Sequence, residues 1–327
     1  MSALLEVRDL QVHFQVGREG AMPWSPARTL KAVSGVSFSL AAGETLGIVG
    51  ESGCGKSSLA RALIGLNPIS SGSVKFEGRE LAGLANRDWR SLRSDIQMIF
   101  QDPLSSLSPR LTIGQIIAEP LRALRPETPE ETVKSEVARV MERVGLLPNV
   151  INRYPHEFSG GQCQRVGIAR ALIVKPKLIL CDEPVSALDV SIQAQVINLL
   201  MDLQQEDGLA LLFIAHDLAV VKHIARRVMV MYLGRTVEEA DAQTLFAHPA
   251  HPYTQALLSA VPIPDPGKER NKTLQILEGD LPSPISPPSG CAFRTRCPKA
   301  DASCAASAPT LTALAGEHRA ACFRIAE

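Results

Sequence analysis

The sequence has no net charge: 34 lysine and arginine side chains face 34 aspartate and glutamate side chains over 327 residues. A balanced chain exerts no long-range pull on nucleic acid or anionic lipid, so no nucleic-acid partner is expected. Long apolar runs are also missing. The most apolar stretch, LALLFIA at 209–215, is far too short to cross a bilayer and suits a buried strand. The opening MSALLEVRDL has no basic end, long apolar segment or small-residue cleavage site, so it does not read as a secretory leader. The expectation is a cytosolic chain whose membrane role, if it has one, runs through a partner. Internal repeats and coiled-coil heptads are absent. Cysteine is scarce through position 290, where only Cys54, Cys163 and Cys181 occur. In a cytosolic chain thiols or metal ligands are expected ahead of disulfides.

What is present is a 45% hydrophobic, 21% charged chain, enough for a sizeable core in one large domain or two. LLEVRDLQVHF and VSGVSFSLAAGETLGIVG read as strands with a turn at Ala42-Gly43, and REGAMPWSPARTL (18–30) between them reads as an exposed loop. After Lys56 the period becomes helical, with Leu59, Ala62, Leu63 and Leu66 on one face. Residues from about 104 to 157 read mainly as helix, with a start at Thr128-Pro129. KLILCDEP and ALLFIAHD are buried-strand runs separated by the helical VSIQAQVINLLMDLQQE. Strand–helix alternation of this kind predicts an α/β fold with a mainly parallel sheet. Beyond about 260 a proline-rich segment marks a boundary or linker before a short cysteine-bearing tail.

GIVGESGCGKSS carries G-x-x-x-x-G-K-S from Gly50 to Ser57, after an apolar strand and before an amphipathic helix. Gly50, Gly53 and Gly55 let the backbone wrap phosphate oxygens so that the N–H groups of this loop, from Ser52 and Cys54 to Ser58, turn inward. Lys56 brings a charge to the β- and γ-phosphates, and Ser57 offers its hydroxyl to Mg²⁺. Asp182, at the end of LILCD, is placed to hold Mg²⁺ through water, and Glu183 beside it is suited to polarise an attacking water. Alone, that acidic pair would read as a solvated strand cap. Cys54 reads as a small residue filling a tight turn, although the surrounding amides and Lys56 would also lower its pKa. Cys163 and Cys181 read as packing residues. A second anion seat lies in HEFSGGQCQR, where Ser159, Gly160, Gly161 and Gln162 open a helix with bare backbone amides.

At FSGGQ the chain resembles the ATP-binding subunits of ABC transporters, whose signature usually reads Leu-Ser-Gly-Gly-Gln; here Phe158 replaces the leucine. The resemblance implies a P-loop nucleotide-binding domain with an antiparallel N-terminal β subdomain, a helical subdomain at about 104–157, and a parallel sheet core. By the same resemblance, Gln101 in MIFQDP senses Mg²⁺ and the membrane subunit, Asp189 in SALD crosses the dimer interface, and His216 contacts the γ-phosphate. Phe14 is the aromatic expected to stack on adenine, with Trp24 its competitor. Two such subunits close head to tail, so Ser159–Gln162 of one serve the ATP held by the other. The resemblance further implies a peripheral place on the cytoplasmic face of the cell (inner) membrane, with two permease subunits, an external binding protein and a second homologous ATPase subunit forming a heterodimer.

IFQDPLSSLSPRLTIGQIIAEPL and AHPAHPYTQALLSAVPIPDP narrow the resemblance to di- and oligopeptide importers, most closely to the second ATPase subunit of dipeptide importers. Importers of nickel and glutathione share this architecture and remain alternatives for the cargo. A soluble ABC-type ATPase acting on DNA or ribosomes is a further reading, disfavoured by the lack of coiled-coil insertions, zinc modules or paired ATPase domains. The domain reading is a nucleotide-binding domain over 1–258 and a C-terminal extension over 259–327. That extension holds Cys291, Cys297, Cys304 and Cys322, spaced C-x5-C-x6-C-x17-C. The spacing fits a structural zinc site poorly. Four thiolates could hold a [4Fe–4S] cluster, and the resemblance implies one, since similar tails in peptide-importer ATPases are associated with such clusters; zinc, free thiols and disulfides stay open.

Overall fold

The run Leu178–Asp182 is buried at every position, as is Ala210–Ala215. A strand tolerates that only when other elements cover both faces of its sheet. The computed structural model describes residues 3–18, 27–262 and 265–325. They form two compact units: the described residues of Leu40–Thr45 with Gly83–Ile214, and those of Ala3–Ser39 with Leu46–Ala82 and Ala215–Glu327.

In the first unit, strand Ile96–Ile99 pairs in parallel with Leu178–Asp182, which pairs in parallel with Ala210–Ala215. Helix Val190–Asp207 makes the crossover and stops at Gly208, whose φ of 62° suits glycine. The helical stretch expected at 104–157 is there. It contains Pro103–Ser106, Ile113–Leu124 and Glu130–Arg143, and leads into Gly160–Leu172. Thr112 and Gln115 form a reciprocal capping box, and Pro129 sits at the N-cap of the third helix as the sequence predicts.

The second unit holds an antiparallel sheet in the order Ala27–Leu40, Leu5–Arg18, Ser71–Phe76, Arg79–Glu80. It also carries Thr45–Val49 paired in parallel with Arg227–Tyr232, which pairs antiparallel with Arg235–Asp241. Near the end of the chain, Arg319–Ala320 adds to that edge, with Glu238 opposite Ala320 and Glu239 opposite Arg319. Thr312–Ala313 pairs outside it. Two buried carboxylates face the added strand. Glu238 meets His318 Nε2 at 2.8 Å and accepts the backbone N–H groups of Ala250 and His251, while Glu239 accepts from Arg319 at 2.9 Å.

Two sequence expectations change. The loop expected at 18–30 gives way to strand at Arg18 and at 27–30, because Ala27–Leu40 lies beside Leu5–Arg18 in the sheet and that pairing outweighs the local glycine and proline signal. The remainder of that segment, Trp24 included, lies outside the described residues. The helix after the phosphate loop ends at Leu63, so Leu66 is exposed rather than part of the buried face. No helix among the described residues is long and apolar enough to cross a membrane.

Candidate functional site

The phosphate loop lies in the second unit, between the wholly buried strand Thr45–Val49 and the helix Lys56–Leu63. Gly50 has φ of 153° and Gly55 has φ of 106°, and a Cβ on either would run into a backbone carbonyl, of Met231 or of Ala32. Glycine is therefore required at both positions, by conformation and by space. The tight wrap turns Lys56 back across the loop: its Nζ donates to the carbonyls of Gly50 at 2.7 Å and Glu51 at 3.1 Å. Lys56 is buried, so its charge is held in a poorly screened place, suited to a polyanion. Ser52 and Gly53 are exposed at the loop's crest, and Ser57 and Ser58 are half-buried at the helix start. His216, exposed, follows the strand Ala210–Ala215, and Phe14, half-buried, lies in Leu5–Arg18.

Cys54 fills its tight turn as read, but the lowering of its pKa weighed beside that reading does not occur. Its thiol is buried, and burial pushes its pKa up; the nearby Lys56 offsets this only in part. Desolvation of a thiolate outweighs one adjacent cation here. Cys163 and Cys181 are buried packing residues in a helix and a strand, as read, and burial raises both thiols.

The first unit carries the other candidates. Asp182 is the buried last residue of its strand. Glu183 follows with φ of 47°, its N–H donating to the Ile214 carbonyl at 3.0 Å. Gln101 Nε2 donates to Glu183 Oε2 at 3.0 Å, joining residues 82 positions apart just beyond the ends of two paired strands. Ser159 caps the helix Gly160–Leu172 in a reciprocal box with Gln162. Asp189 caps the helix Val190–Asp207, accepting from the Ile192 N–H at 3.0 Å and the Ser191 hydroxyl at 2.8 Å, bonds that hold its carboxyl below the usual range. The two helix starts meet where Gly161 lies against Ile192, leaving no room for a Cβ. A cavity of about 610 Å³ opens beside them, lined in part by Phe158, Ser159, Gly161 and Gln162. Gln101 with Glu183, and the signature with Asp189, are thus brought together within one unit.

The four tail cysteines also converge. Burial raises the thiols of Cys291, Cys297 and Cys322, and unfavourable interactions with the other tail thiols add to the shift. Yet among the described residues no three His, Cys, Asp or Glu side chains are arranged to hold a metal ion. The expected [4Fe–4S] site is not formed in this arrangement.

Sequence reasoning missed four residues around the phosphate loop. The Glu51 N–H donates to the Tyr253 hydroxyl at 2.8 Å, and the Glu51 carboxylate accepts two bonds from Arg296. Phe293 packs its ring against Tyr232 and Tyr253. The only local signal for these was the HPY segment containing Tyr253.

The chain was compared with known proteins. A family model described as ABC transporter matches residues 33–186, and one described as Oligopeptide/dipeptide transporter, C-terminal region, matches 237–304. The oligopeptide transport ATP-binding protein OppF of Escherichia coli is 62% identical over 322 residues, 98% of this chain and 96% of that protein. OppF of Haemophilus influenzae is 60% identical, over 98% and 97%. Among solved structures, the dimeric ATP-binding cassette MJ0796, in a post-hydrolysis state bound to ADP and Pi, aligns with a TM-score of 0.65 at 27% identity, over 73% of this chain and 98% of that one. The cbiO1 structure from Clostridium perfringens, part of the ABC transporter complex cbiONQ, aligns with a TM-score of 0.64 at 27% identity, over 76% and 92%.

Proposed function

The chain belongs to the ABC transporter family of ATP-binding proteins, in the branch of the oligopeptide transport ATP-binding proteins, and from that premise we propose its cargo, its site residues and its partners. It is an α/β P-loop ATPase coupled to transport. Our reading is that it powers the import of di- or oligopeptides through a membrane complex containing two permease subunits and a second, homologous ATPase. An external binding protein delivers the cargo, and the chain sits on the cytoplasmic face of the membrane. The descriptions of its relatives support peptides over nickel or glutathione.

Within the site, Gly50–Ser58 cradle the triphosphate and Lys56 neutralises its β- and γ-oxygens. The hydroxyl of Ser57, the amide of Gln101 and the carboxylate of Asp182 are oxygen donors of the type Mg²⁺ takes, and they would hold it. When bound, that ion spreads the charge that develops during phosphoryl transfer. Glu183 polarises the attacking water, Gln101 orients the Glu183 carboxylate, and His216 reads the γ-phosphate. The single observation that carries the catalytic reading is the 3.0 Å bond from Gln101 to Glu183 at the end of a buried strand. Ser159–Gln162 and Asp189 serve the ATP of the neighbouring ATPase; the exposed, well-capped helix starts support this, as does the dimer described for the solved cassette.

Gentle isolation of the complex from membranes tests the reading. Two permeases, a second ATPase and captured peptide are expected. Nickel or glutathione in place of peptide would move the cargo, and nucleic acid or ribosomes in place of permeases would overturn transport. Ser159→Ala in that complex should impair hydrolysis at the partner's loop more than nucleotide binding at this chain's own. For the tail, a [4Fe–4S] cluster on Cys291, Cys297, Cys304 and Cys322 is a reading supported only by the concentration of these cysteines in the sequence. Iron and acid-labile sulfide in anaerobically purified protein would support it, and their absence would retire it.

A further inference from the structure

The C-terminal extension reaches back to the phosphate loop. Within the unit that holds both, Arg296 sets Nη1 2.7 Å from Glu51 Oε2 and Nη2 3.1 Å from Glu51 Oε1. The planar fork matches the carboxylate with two parallel bonds, the strongest arrangement such a pair can adopt. The Arg296 side chain is only 8% exposed, so the pair is poorly screened.

Both partners are fixed from behind. Arg296 donates its backbone N–H to the Phe293 carbonyl at 3.0 Å. The Phe293 ring is fully buried, with ring centres at 5.2 Å from Tyr232, 5.4 Å from Tyr253 and 5.6 Å from His251. Tyr253 in turn accepts the Glu51 N–H. Glu51 is therefore held by its backbone and by its side chain, both times from residues beyond 250.

Glu51 immediately follows Gly50 in a loop that binds a polyanion, and its own negative charge opposes that task. Arg296 cancels the charge and fixes the peptide that leads into the cradle. We propose that Arg296, seated by Phe293, is a positioning residue for the phosphate loop, so that the C-terminal extension completes this chain's own nucleotide site. The proposal rests on the reading of Gly50–Ser58 as an ATP cradle.

The test is equilibrium binding of a fluorescent ATP analogue to the full chain, with melting curves to check folding. Arg296→Ala should weaken binding roughly tenfold, the scale of one hydrogen-bonded charge pair. It should raise KM far more than it lowers kcat. Adding Glu51→Gln to that variant should restore most of the affinity, since the repelling charge is gone. The deficit of Arg296→Ala alone should shrink as salt rises from about 0.05 M to about 0.5 M, because Glu51, already 27% exposed, loses its cover in that variant and its repulsion becomes screened. If Arg296→Ala does not fold, Arg296→Met keeps the packed stem and poses the same question. Unchanged affinity in the Arg296 variants, or failure of Glu51→Gln to rescue, would overturn the proposal. A wild-type chain that binds no ATP analogue would instead overturn the cradle reading beneath it.

Discussion

Glu183 stands in a backbone conformation that side chains usually avoid, with φ of 47°. The cause is local: its N–H is committed to the Ile214 carbonyl while its carboxylate turns to Gln101. Such a conformation costs about 1–3 kcal/mol, accepted here to aim the side chain. Two replacements separate aim from chemistry. Glu183→Gln keeps the shape and an oxygen for Gln101 but cannot take a proton from water. Turnover should fall by roughly 10²–10⁴-fold, a barrier increase of about 3–5 kcal/mol, with ATP affinity and melting temperature nearly unchanged. Glu183→Gly should lose turnover equally while relieving the strain. Against that relief stand about 0.5–1 kcal/mol of glycine backbone entropy and about 0.5–1.5 kcal/mol for the lost Gln101 bond. The net change runs from a loss of about 1.5 kcal/mol to a gain of about 2 kcal/mol in stability. Phosphate release by the membrane complex and urea unfolding of the chain measure the two quantities. A Glu183→Gln complex keeping more than about a tenth of its turnover would refute the role of proton acceptor. A Glu183→Gly chain less stable than wild type by more than about 2 kcal/mol would refute the strain.

Further outcomes follow from burial. His251 is buried and its pKa is lowered to about 4, so the unfolded chain binds the extra proton between pH 6.5 and 4 and stability falls as pH drops through that window. The full loss is about 3 kcal/mol, and His251→Asn, which can still accept the Tyr253 N–H, should remove it; identical pH profiles for the two proteins in urea unfolding would contradict this. Native-state alkylation followed by mass spectrometry should modify the half-buried Cys322 well before Cys54, Cys163 and Cys181, and rapid labelling of Cys54 would show that its loop opens.

The phosphate loop, the strand ending at Asp182 and Glu183, and the signature helix were legible because each is a local pattern in which spacing alone dictates geometry. Gly50 and Gly55 announce a turn that only glycine can make, and Ser159 with Gln162 announces a helix start. What stayed hidden depends on residues far apart in the chain. Glu51 and Arg296 look like ordinary surface charges until folding brings positions 245 apart into contact. The sign of the Cys54 shift was missed for a related reason: the neighbouring lysine is visible in the sequence, but the burial that outweighs it is set by the tertiary fold. Strand 27–30 was masked by glycine and proline upstream, although its partner is the preceding strand, Leu5–Arg18.

The two-residue strand Arg319–Ala320 makes the tail hard to dispense with in any trimmed form of the protein. Cutting the chain near 260 would strip His318 and Arg319 from Glu238 and Glu239 and bare the backbone groups that Val237–Glu239 now share with the tail. Bare rims of this kind recruit one another, so a shortened cassette would tend to precipitate or form fibrils even with every catalytic side chain retained.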